Sequence, residues 1–127
     1  MQEQINAMLE GLASFGIPIF ENDIAEDEEA QFKEAGYHFF IYQTGDMFKN
    51  DDRATIGQDI AIFYFSENRD DLDEQTTNII KALSNIPAFK FERTQKNRLR
   101  KKNTDEYVDQ IVLLYNRLIK ITGCVLK

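Results

Sequence analysis

Residues 59–83 read DIAIFYFSENRDDLDEQTTNIIKAL, and no other stretch of the chain restricts the possible folds as tightly. Ile60, Ile62 and Tyr64 alternate with Ala61, Phe63 and Phe65, so a strand here has two apolar faces, and neither suits open water. Such a strand is central in its sheet, or its outer face meets a partner. After Ser66-Glu67-Asn68-Arg69, Asp71 stands at an N-cap position with Glu74 three residues on. This capping-box spacing satisfies two orphan backbone donors. Leu72, Thr76, Ile79, Ile80 and Leu83 then recur at helical spacing as one apolar stripe, and the helix is expected to stop near Asn85, ahead of Pro87. The unit is strand, short turn, helix.

The flanking segments extend this pattern. Ile5, Met8, Leu9, Leu12 and Phe15 form an amphipathic first helix that ends at Gly16 and is barred from continuing by Pro18. Residues 17–21 form a short extended piece leading into a charged loop or loose turn. Residues 37–44 alternate Tyr37, Phe39 and Ile41 with His38, Phe40 and Tyr42, which predicts a second strand with two sticky faces. A polar loop is expected over 45–53, after which a strand from about Thr55 returns along it as a long hairpin. Phe89, Phe91 and Arg93 alternate with Lys90 and Glu92 as in a half-buried strand, before a polar loop over about 97–103. From Tyr107 two periods compete. Tyr107, Ile111, Leu114, Tyr115 and Leu118 fit a helix capped by Thr104, whereas Ile111, Leu113 and Tyr115 against Val112 and Leu114 fit a strand; periodicity leaves both open.

Length and composition limit the function classes. A chain of 127 residues suits a single domain, and a domain of that size removes roughly 65 to 70% of its unfolded surface from water. The single cysteine, Cys124, closes no intramolecular disulfide, which fits a reducing cytoplasm and not a secreted scaffold. No basic region precedes an apolar run at the N-terminus, and no apolar run approaches the ~18 residues of a membrane span, so neither a signal peptide nor a membrane is expected. The net charge of −7 argues against bulk affinity for nucleic acid. That average hides an asymmetry. Over residues 21–34 seven carboxylates face Lys33 alone, and over 90–102 seven cations face Glu92 alone.

Catalytic chemistry finds little support. His38 is the only histidine and lies within an aromatic strand, where a packed or interfacial residue is expected and not a general base. Cys124 has no histidine near it in sequence, and one cysteine with one histidine cannot build a Cys/His metal site. Asp70, Asp71, Asp73 and Glu74 lack the glycine and spacing of a calcium loop and are expected to serve the helix start and its dipole. There is no Gly-rich phosphate loop. No catalytic, cofactor-binding or metal-binding residue is therefore expected, and no enzyme.

The run from Ile60 through Leu83, with its Phe-Tyr-Phe strand, the following Ser66-Glu67-Asn68-Arg69-Asp70-Asp71-Leu72-Asp73-Glu74 and the Ile-rich helix, resembles the tail terminator proteins of long-tailed bacteriophages, the minor tail or tail-to-head joining class. The order of elements along the whole chain is similar too. The resemblance implies one α+β domain over residues 1–127: a mainly antiparallel sheet of about four to five strands, with an N-terminal helix and a central helix packed on it. It implies a strand over 107–116. It also implies a structural virion protein that caps the finished tail tube as a ring, commonly a hexamer, located in the virion tail and in the host cytoplasm during assembly. Its implied partners are other copies of itself, the tail tube protein and a head-completion or connector protein, with DNA passing through without specific binding. A ring needs two different complementary patches on each subunit. Glu26, Asp27, Glu28 and Glu29 of one subunit against Arg98, Arg100, Lys101 and Lys102 of the next are the candidate pair. The alternative reading is a small α/β nucleic-acid-binding module, in which the aromatic strand 37–42 stacks bases and the basic segment 90–102 holds the backbone.

Overall fold

A computed structural model describes residues 2–22, 37–52, 54–67, 69–100 and 107–121. In chain order the elements are α1 (Gln2–Ala13), β1 (Ile19–Glu21), β2 (Phe39–Lys49), β3 (Thr55–Ser66), α2 (Leu72–Leu83), β4 (Phe89–Arg100) and β5 (Tyr107–Lys120). The strands form one five-stranded sheet in the order β1-β2-β3-β5-β4. Only β1 and β2 run parallel; every other neighbouring pair is antiparallel. The α+β class expected from the sequence is the class observed.

The two apolar faces of residues 60–65 place β3 at the centre of the sheet, as their composition requires. Ile60, Ile62 and Tyr64 point to the face that carries both helices. There they pack with Phe40 and Tyr42 of β2, Ile111, Leu113 and Tyr115 of β5, Ile5, Met8 and Leu12 of α1, and Ile79 and Leu83 of α2. Ala61, Phe63 and Phe65 lie half-buried on the opposite face, where Phe65 stacks on Phe39 at 4.5 Å between ring centroids. The β2 segment begins at Phe39, and the short piece expected over 17–21 is β1, docked on β2 with Ile19 opposite Phe40.

Helix α1 ends as expected. Gly16 takes φ 74°, a left-handed conformation that glycine adopts without a Cβ penalty, and its N–H bonds the Ala13 carbonyl at 3.1 Å. Gly11 serves a different purpose. A Cβ built on it would lie 2.8 Å from Leu83 Cδ2 and 3.4 Å from the Ala82 carbonyl oxygen, so its missing side chain lets α1 approach α2.

Three expectations about the strands need correction. The loop expected over 45–53 is strand as far as Lys49, because the ladder to β3 resumes at Met47↔Gln58 and Phe48↔Gly57 after a bulge between Thr44 and Met47. The actual turn is held by Asp52, whose Oδ1 accepts the N–H groups of Ala54 and Thr55 at 2.9 and 2.7 Å. At the other hairpin, β4 continues to Arg100 where a polar loop was expected from Asn97. Polar cross-strand pairs sustain it: Asn97 Nδ2 donates to Gln110 Oε1 at 3.0 Å and Arg98 Nε to Asp109 Oδ1 at 3.1 Å. Lastly, Arg93 does not share a face with Phe89 and Phe91. The register shifts between Phe91 and Arg93, so Phe91 sits opposite Tyr115 but Arg93 opposite Leu114, and a bulge at Glu92 turns Arg93 to the other face.

Of the two periods open from Tyr107, the strand is the one realised, and it runs to Lys120. The Thr104 cap belonging to the helical alternative lies outside the described residues, as does Cys124.

The close approach at Gly11 yields a test. Gly11→Ala raises helix propensity by about 1 kcal/mol, yet forcing a methyl group against Leu83 costs about 1 to 3 kcal/mol. Urea unfolding is expected to show a net loss near 1 kcal/mol; a more stable variant would show that the helices separate freely here.

Candidate functional site

The basic segment is an edge strand. All of Gln95 to Arg100 is exposed on β4, and within β4 five cations (Lys90, Arg93, Lys96, Arg98 and Arg100) accompany the single carboxylate of Glu92. The register puts Thr94, Lys96, Arg98 and Arg100 on the helix side and Arg93, Gln95, Asn97 and Leu99 on the other. Lys96 and Arg98 are engaged within the subunit. Lys96 Nζ pairs with the Asp73 carboxylate at the start of α2. Arg98 pairs with Asp109 at 3.1 Å, and its guanidinium carbon lies 5.9 Å from the centroid of the Tyr107 ring. Exposed pairs of this kind contribute about 0 to 1 kcal/mol each, so they orient the side chains without committing them. Arg100 closes the strand opposite Tyr107. The other members of the candidate pair, Lys101 and Lys102 on one side and Glu26, Asp27, Glu28 and Glu29 on the other, lie outside the described residues.

The opposite edge of the sheet is β1, and it differs in length and charge. Its last residue, Glu21, accepts a hydrogen bond from the Tyr42 hydroxyl at 2.8 Å. Burial pushes the Tyr42 phenol up, and the Glu21 hydrogen bond and negative charge push it the same way. This bond fixes the point at which the chain enters its acidic stretch.

The capping role expected of Asp71 and Glu74 is not what the structure contains. Asp71 stands at the N-cap position of α2, but its side chain makes no capping bond. Its carboxylate instead takes Arg69 in a forked pair, with Nε and Nη2 donating at 2.7 and 3.0 Å. That pair holds the Asp71 carboxyl below the usual range and raises the Arg69 guanidinium. A bidentate guanidinium two residues away is a stronger partner than a backbone N–H. Only the Asp71 carbonyl serves the helix, accepting the Gln75 N–H at 2.9 Å, and Glu74 is exposed.

His38 is half-buried. Its Nδ1 lies 3.0 Å from Ser66 Oγ, and Ser66 is fully buried, so the pair ties the start of β2 to the end of β3 and presents no accessible nucleophile. Beside it the buried Glu67 carboxylate accepts the Tyr37 N–H at 2.7 Å. Among the described residues no group of three His, Cys, Asp or Glu side chains is placed to hold a metal ion, and no helix is long and apolar enough to cross a membrane.

Two buried polar groups escape sequence reading because they sit at apolar positions of β5. Arg117 is 4% exposed; its Nε donates to Gln58 Oε1 at 2.8 Å, and Gln58 Nε2 in turn donates to the Gly45 carbonyl at 3.1 Å. Desolvation lowers the Arg117 pKa, though a guanidinium stays charged at any physiological pH. Gln4 of α1 reaches the same corner, donating to the Leu118 and Pro87 carbonyls at 3.1 and 3.3 Å. The other group is Tyr115, whose hydroxyl is buried without a hydrogen-bond partner between Phe89 and Phe91. Burial pushes its phenol up to about 12.

Comparison of the sequence with protein-family models matched none, and a search of curated proteins returned no match.

The Tyr115 phenol has a pH consequence. The unfolded chain ionises this group near pH 10 and the folded protein near 12. Its contribution to stability is therefore complete below pH 10 and is lost as pH rises through 12, by about 3 kcal/mol in all. Tyr115→Phe is expected to unfold no more readily than the parent at pH 7, since it removes an orphan hydroxyl, and to lose less stability between pH 10 and 12. Equal alkaline slopes in denaturant titrations would refute this.

Proposed function

We propose that this chain is a structural virion protein that caps the end of a bacteriophage tail tube as a ring, ends tube polymerisation and forms the surface that meets the head. The observation that carries the reading is the inequality of the two sheet edges. One is β4, long, basic and exposed; the other is the short β1, which leads into the acidic run from Glu21. Like edges favour two-fold dimers, whereas unlike, complementary edges favour the head-to-tail contact from which closed rings are built. The order of elements supports the same reading: an N-terminal helix, a hairpin, a helix across the sheet and a final hairpin.

The nucleic-acid alternative is less well served. Its stacking platform is the aromatic strand 37–42, and there Phe39, Phe40 and Tyr42 are buried. Bases have no access to those rings.

Native mass spectrometry of the purified protein is expected to show one discrete multi-subunit species, seen as a ring in negative stain. Reversing Arg98, Arg100 and Lys101 to glutamate is expected to leave a folded monomer in light scattering. Intact rings from the reversed variant at ordinary salt would sink the proposed pairing. Sequence-specific binding of single strands by the monomer in a low-salt gel shift would favour the alternative.

A further inference from the structure

The β4 strand poses a problem of its own. It is an edge, and among the described residues no strand pairs with its outer side, so a row of backbone N–H and C=O groups faces outward along its length. From Arg93 to Arg100 its pairing with β5 is regular, with no further bulge, and no proline or glycine interrupts it. Natural sheets blunt such edges with short strands, prolines, bulges or charge. From Arg93 to Arg100 only charge is used, and every charge there is positive.

A uniformly basic edge refuses its own copy. Two β4 strands laid side by side would bring five cations against five, a repulsion that blocks symmetric sheet merging. The same edge accepts an acidic strand on both faces, because Lys96, Arg98 and Arg100 project to one side and Arg93 to the other. The chain carries a segment of the required sign in the run from Glu21 to Glu34.

We infer that the outer edge of β4 is a strand-addition site whose occupant is the acidic segment 23–34 of a second copy of this chain. Main-chain hydrogen bonds supply the affinity, and alternating charge supplies the selectivity. The inference rests on the ring reading and adds to it the mode of contact, a sheet continued from one subunit into the next.

Charge exchange in the full-length protein tests it. One variant carries Lys90→Glu, Arg93→Glu and Arg100→Glu, which leaves the Lys96–Asp73 and Arg98–Asp109 pairs intact; another carries Glu26→Lys, Glu28→Lys and Glu29→Lys. Each alone is expected to sediment as a folded monomer, with circular dichroism as the folding control. Their mixture, and the variant carrying all six changes, are expected to recover the assembly. In the wild-type assembly, alternate amides between Arg93 and Arg100 are expected to exchange at least tenfold more slowly than in the monomer, and this readout needs no variant. If wild-type rings form while either single variant still assembles, or while those amides exchange as in the monomer, the strand-addition site is overturned and the ring reading stands. If neither the wild type nor the mixed variants associate at any concentration, both are overturned.

Discussion

The structure depends on the pairing of β3 with β5. It runs without interruption from Thr55↔Lys120 to Ser66↔Asp109, whereas the ladders on either side, β2 to β3 and β5 to β4, each contain a shift. Two strands far apart in sequence thereby place Ile60, Ile62 and Tyr64 beside Ile111, Leu113 and Tyr115 on one surface. That surface is what the two helices cover. Apolar burial stabilises by roughly 25 cal/mol per Å², and the hydrophobic core lies on that surface. Without β5 the central strand would be an edge with two apolar faces, an aggregation-prone arrangement.

The same central pair explains which parts of the fold the sequence displays. The α1 and α2 stripes are legible because each has a single clean period, and β3, though apolar on both faces, because its β-branched and aromatic run ends at turn residues ahead of a helix. The strand β5 is not, because its middle positions are apolar on both faces, and a run such as Ile111-Val112-Leu113-Leu114-Tyr115 matches helix and strand templates alike. The ladder to β3 decides the matter, and that ladder is a long-range fact. The capping box at Asp71 fails for a local reason: Arg69 competes for the carboxylate, and spacing rules ignore such a neighbour. Arg117 reads as a surface cation within an apolar strand, yet it is buried against Gln58, and no pattern in the sequence announces that partnership.

The candidate interface was legible as charge and not as geometry. Counting residues exposes the basic run, but only the topology shows that most of it lies along one free edge and divides between two faces. The composition that makes the run look like a loop is the composition an exposed edge strand needs. Polar cross-strand pairs such as Asn97 with Gln110 hold the ladder together where no hydrophobic layer is present to do so.

The two register shifts fall near the same level of the sheet, one between Thr44 and Met47 on β2 and the other between Phe91 and Arg93 on β4. Bulges bend a strand and steepen its twist, so β2 and β4 both bend near this level. At Glu92 the extra residue is not needed for pairing. A chain one residue shorter there would keep every partner from Arg93 to Arg100 and every facing, and would lose only the bend. Pairing and curvature are thus specified by different residues, and the direction in which this edge points can change by insertion or deletion at a single position while the chemistry of the edge stays as it is.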